Sequence, residues 1–100
     1  MRQFEITTTT KAQSDVDKLR FAIAFKFRAP LTAKCYVQGL NEKIQSLKVG
    51  ADSIHIDEKL SAQYGIEIRH VNYKEMAILY TVEEDLVIIQ RIIPQNMVIY

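Results

Sequence analysis

The chain has 100 residues, 48% of them hydrophobic and 25% charged, with a net charge of +1, which suits one ordinary globular domain near the small end of the range, residues 1–100. The lone cysteine, Cys35, excludes an intrachain disulfide and a cysteine metal cluster. No run of about 18 apolar residues suggests a membrane span, and the opening MRQFEITTTTKAQSD lacks a basic region followed by an apolar one, so a cytoplasmic, reducing compartment is expected.

The first run, Gln3 to Thr9, alternates Phe4 and Ile6 with polar neighbours and is rich in threonine, as a half-buried strand would be. Thr10 followed by Gln13 reads as a capping box opening a helix, with Ser14 as a later alternative cap. Ala12, Val16, Leu19, Ile23 and Phe27 then recur at spacings of three and four and line one helix face. Phe21 and Phe25 widen that stripe beyond what one neighbour covers, so this helix is gripped on two sides or offers surface to a partner.

Ala29-Pro30 breaks the pattern, because proline disfavours helical geometry in the residue before it and suits the first turn of a new helix. Ala33, Val37, Leu40, Ile44 and Leu47 carry a second stripe, the seam of a helix lying antiparallel to the first, and Gly50 stops it. Residues 10–50 are therefore read as a helical hairpin. It is also the basic part of the chain: residues 1–50 hold nine Lys and Arg against four Asp and Glu, residues 51–100 four against eight.

Ser53 to Ile56 is a possible short strand before the charged run Asp57-Glu58-Lys59, and the role of residues 51–63 stays unassigned. Gly65 to Val71, Glu75 to Val82 and Leu86 to Ile93 read as strands. The acidic turn Glu83-Glu84-Asp85 makes the last two a hairpin, and the continuous apolar run Leu86 to Ile89 belongs inside the sheet. Pro94 ends the last strand, leaving Met97 to Tyr100 as an edge strand or a tail. The fold class is α+β: an N-terminal strand, a two-helix antiparallel hairpin, and a small curved antiparallel sheet on which the hairpin packs.

Little chemistry is concentrated in these residues. His55, His70 and Cys35 are too scattered for a metal site, and Cys35 reads as a buried helix residue at the seam. The three glycines form no phosphate loop or nucleotide fingerprint, so no cofactor is expected. Arg69-His70 invites a catalytic reading, a guanidinium steadying a phosphate beside a proton-moving imidazole. Alternation places the two on opposite faces, with Ile66 and Ile68 on the side of His70 and Glu67 on that of Arg69. Tyr73 and Tyr80 are expected to pack in the sheet.

Phe4, Ile6 and Thr8 before a helix, Ala29-Pro30-x-x-Ala33, Leu40-x-x-x-Ile44-x-x-Leu47, Tyr64-Gly65-Ile66-x-Ile68-Arg69, Asn72-Tyr73-Lys74, Ile78-Leu79-Tyr80-x-Val82 and Leu86-Val87-Ile88-Ile89-x-Arg91-Ile92-Ile93 follow in order. Together they resemble the RelE/ParE superfamily of toxins from bacterial toxin–antitoxin pairs, over nearly the whole chain. The RelE branch implies a ribosome-dependent messenger RNA endoribonuclease, whose residues here would be Arg69, His70, Lys74 and Tyr100. Where that branch has alternating lysines before the arginine, this chain has Gly65 and Glu67, and a carboxylate there repels phosphate.

The basic hairpin broken at Ala29-Pro30 is more similar to the ParE branch, which implies a non-enzymatic inhibitor of DNA gyrase held by an antitoxin. On that reading Arg91, Asn96 and Tyr100 are candidates for target contact, and Phe21, Phe25 and Met97 for antitoxin contact, the antitoxin docking as a strand or amphipathic helix. The resemblance also implies a homodimer or a heterotetramer with antitoxin. Pro94-Gln95-Asn96 stands where the family has a His or Arg past the final strand, so a non-toxic interaction module on this fold is a third reading.

Overall fold

The computed structural model describes residues 3–26 and 28–97. The element order is β1 (Glu5–Thr8), α1 (Thr10–Phe21), α2 (Pro30–Gln45), α3 (Glu58–Tyr64), β2 (Arg69–Tyr73), β3 (Met76–Glu83) and β4 (Leu86–Pro94). The helix of α1 continues as a π-turn over Ala22–Lys26, and 3-10 turns follow α2 and β4.

Two-residue turns fix the β2–β3 and β3–β4 hairpins, each with a non-glycine residue in left-handed geometry, Lys74 (φ 50) and Glu84 (φ 52). The sheet order is β1-β4-β3-β2. The three later strands are antiparallel as expected, whereas β1 joins β4 in parallel, from Glu5 opposite Leu86 to Thr8 opposite Ile89. A parallel pair needs a long crossover, and the hairpin supplies its first part: α1 leads away from β1 and α2 returns, so that Lys48 O accepts from Phe4 N at 2.8 Å.

Helix α1 is capped by Thr9 rather than Thr10. The Thr9 hydroxyl accepts from Ala12 N (3.1 Å) and donates to Gln90 O (3.2 Å), two duties open only to the residue at the strand-to-helix corner. Gln13 bonds Asp17 on the surface instead of closing a box. At the far end α-geometry stops at Phe21, earlier than the apolar stripe implies, and Arg28 takes a left-handed φ of 50 before Ala29 and Pro30 start α2. Phe27 lies outside the described residues. Gly50, at φ 83, turns the chain after α2 and its 3-10 extension as expected.

The main core lies between the hairpin and one sheet face. Ala12 and Val16 of α1 and Val37, Leu40 and Ile44 of α2 meet Ile78, Tyr80, Val87, Ile89 and Ile92. The opposite face is covered by α3, through Leu60 and Tyr64 on Ile68, Ala77, Leu79 and Ile93. Coverage on both sides explains why β3 is buried continuously from Met76 to Thr81. Helix α3 corrects the open reading of residues 51–63. Asp57 caps it by accepting from Leu60 N, Gly65 (φ 74) ends it, and β2 therefore starts at Arg69 rather than Gly65. Only a single bridge, Ile56 to Arg69, remains of the suspected strand at 53–56. Cys35 is exposed, correcting its expected burial: two residues beyond Ala33 it is turned about 200° away from the seam.

Candidate functional site

After Thr8, β1 leaves the sheet and the edge of β4 loses its strand partner. A bulge opposite Leu79 and Tyr80 sets Gln90 out of register, and its amide nitrogen donates to the Thr81 hydroxyl at 3.1 Å. Asp15 of α1 takes over the bare edge. Its Oδ2 accepts from Ile92 N (3.0 Å) and Arg91 Nε (2.7 Å), and its Oδ1 from Arg91 Nη2 (3.1 Å). Arg91 is thus clamped bidentately, and the carboxylate hydrogen bond holds its guanidinium protonated above the ordinary arginine range.

The residues proposed for RNA cleavage lie apart. Arg69 stands opposite Tyr80 on the hairpin face, and its Nε donates to Ile54 O at 2.8 Å. His70 stands opposite Leu79 on the α3 face, its Nδ1 3.3 Å from the second oxygen of the capping Asp57. The opposite-face expectation for this pair is met. Lys74 sits in the β2–β3 turn with Nζ 5.2 Å from the Tyr36 ring centroid and 5.6 Å from that of Tyr73. Tyr100 lies outside the described residues. Tyr80 is fully buried and donates to Ala51 O at 2.8 Å, and burial pushes its pKa up to about 12, so it serves the core. Among the described residues no group of His, Cys, Asp and Glu could hold a metal ion.

The residues proposed for binding fall on three surfaces. Arg91 lines a small cleft with Lys11 and Tyr64, while Asn96 lines another with Lys74 and Glu75. Phe21 and Phe25 are about two-thirds exposed and stack on each other with centroids 4.5 Å apart. Beside them Arg20 and Ala24 face Pro30, Ala33, Lys34 and Val37 across a largely apolar groove of about 830 Å³. Met97, also exposed, lies in the turn after β4.

Sequence reasoning missed this groove and the Tyr36–Tyr73–Lys74 cluster. Gly39 is the available signal for the cluster. A glycine inside a helix costs about 1 kcal/mol against alanine and implies a close neighbour, here the Tyr73 hydroxyl, which a Cβ at position 39 would strike.

A strand, a basic hairpin with an apolar groove, and a sheet whose cationic side chains are dispersed define a small α+β domain. Residues 6–99 match the family described as ParE toxin of type II toxin-antitoxin system, parDE, and the chain belongs to that family. Its fold is similar to that of a chain in the solved structure titled chromosomal ParDE TA system from P. aeruginosa. The TM-score is 0.72 at 18% identity, over 92% of this chain and 96% of that one. No curated protein sequence matches the chain.

Proposed function

We propose that this ParE-family toxin acts by binding a protein target, DNA gyrase being the one the family implies, and that an antitoxin neutralises it in the cytoplasm. The dispersal of Arg69, His70 and Lys74 carries the reading. Cleavage of a phosphodiester needs positive charge and a proton carrier aimed at one point, whereas these three side chains meet Ile54, Asp57 and two tyrosine rings respectively. No helix among the described residues is long and apolar enough to cross a membrane.

The turn past β4, with Asn96 exposed, is the surface assigned to the target, together with Tyr100 and the rim of Arg91. Met97, considered above for antitoxin contact, is exposed in that same turn and is reassigned to the target with it. The hairpin, through Phe21, Phe25 and the groove beside them, is assigned to the antitoxin. The solved relative comes from a ParDE system, which supports a partner of that kind. Purified protein titrated into a gyrase supercoiling reaction tests the target. Inhibition relieved by the co-encoded antitoxin is expected, and unimpaired supercoiling with excess toxin overturns the gyrase assignment. Light scattering on the same samples separates a homodimer from a heterotetramer with antitoxin.

A further inference from the structure

Pro94 is the last residue of β4, paired with Met76, and lacks the N–H that would carry the ladder further. The chain then turns through Gln95–Met97 in a way dictated by the β2–β3 turn. Gln95 N donates to Glu75 O at 2.8 Å, and Gln95 Nε2 donates to Lys74 O at 2.6 Å. Both acceptors are carbonyls of a two-residue turn, so their direction depends on how that turn is held.

Its first residue is Lys74, in left-handed geometry that glycine adopts far more easily. The lysine side chain supplies what glycine cannot. Its ammonium lies over Tyr36 of α2 and Tyr73 of β2, which meet edge to face with centroids 5.3 Å apart. Tyr73 is seated because Gly39 leaves space on α2 for its ring. A continuous set of contacts therefore runs from the second helix through Tyr73 and Lys74 to the backbone of Gln95.

We propose that Tyr36, Tyr73 and Lys74 form a clamp that positions the Gln95–Met97 turn for its target, making Lys74 and Gln95 positioning residues for toxicity. This rests on the reading that the turn meets the target. Replacing Lys74 with glycine gives a decisive test, because glycine suits the left-handed φ and keeps the hairpin stable while removing the clamped side chain. Lost activity in that variant therefore does not reflect unfolding.

The experiment compares wild type, Lys74→Gly, Lys74→Arg, Gln95→Ala and the double variant Asn96→Ala/Met97→Ala. It reads growth arrest against inducer dose, thermal midpoint, and the methyl resonance of Met97 in protein labelled at methionine. Lys74→Gly and Gln95→Ala are expected to raise the dose for arrest about three- to tenfold, the scale of one lost cation–π or hydrogen-bond contact. Both should shift the Met97 methyl and leave the thermal midpoint of Lys74→Gly at or above wild type, while Lys74→Arg retains arrest.

Full arrest and an unmoved Met97 resonance in Lys74→Gly, with arrest lost in the double variant, overturns the clamp but not the target surface. Full arrest in the double variant overturns the surface reading itself. Loss in Lys74→Gly with full activity in Gln95→Ala also overturns the clamp, since it assigns Lys74 a direct contact instead.

Discussion

The junction between α1 and β4 and the tip of the hairpin are built from the same helix, yet they handle their exposed groups in opposite ways. At the junction the buried-side polar groups are tied to the sheet: Thr9 bonds Ala12 and Gln90, and Asp15 bonds Arg91 and Ile92. At the tip, Phe21 and Phe25 stack in solvent and Leu31 is 78% exposed, beside the cations Arg20 and Lys34. Hydrogen bonding is concentrated where the helix meets the sheet, and exposed apolar area where it leaves it. Large exposed side chains close together on a small chain are what a binding surface requires.

Asp15→Ala strikes the junction hardest. It strands a guanidinium that is only a quarter exposed together with the Ile92 N–H, and should cost about 2–4 kcal/mol in urea unfolding. A loss below about 0.5 kcal/mol would erase the contrast between the two regions.

Alkaline titration probes the neighbouring core. Tyr80 has its pKa raised from 10.0 to about 12 by burial, so above pH 10 the unfolded chain releases this proton while the folded chain keeps it. The unfolded state then binds fewer protons and stability falls with rising pH, by about 2–3 kcal/mol between pH 10 and 12. Below pH 10 this residue adds no slope. Tyr80→Phe is expected to flatten that part of the profile in chemical denaturation series, and an unchanged slope would show that another group is responsible.

The corner residue gives a smaller effect: Thr9→Ala should cost about 1 kcal/mol, whereas Thr10→Ala should cost a few tenths at most. Equal losses would restore Thr10 as the cap. At the tip, Phe21→Ser with Phe25→Ser should move stability by no more than about 0.5 kcal/mol while weakening antitoxin binding about tenfold or more in calorimetry. Unaltered affinity would remove the hairpin tip from the antitoxin surface.

How far the sequence discloses these regions follows from the range of the interactions. The apolar stripe Ala33, Val37, Leu40 and Ile44 is local periodicity, and all four residues are buried. The acidic turn between β3 and β4 is equally local, as is the alternation that separates Arg69 from His70. The parallel docking of β1 on β4 and the Asp15–Arg91 pair join residues more than 70 positions apart, and nothing in the spacing of either segment encodes the other.

Helix α3, at seven residues, is too short for its apolar period to declare itself, although Asp57 and Gly65 are the cap and stop residues expected at its ends. The exposed phenylalanines were legible as surplus apolar width. The groove beside them was not, because it comes from small Ala24 and Ala33 facing each other across two helices.

Action by contact rather than by cutting RNA is tested most directly by mapping messenger RNA 5′ ends in cells during the first minutes of toxin induction. Growth arrest with no new ends in translated messages is the predicted result, and new ends within coding sequence, lost on replacing Arg69 or His70, would contradict it.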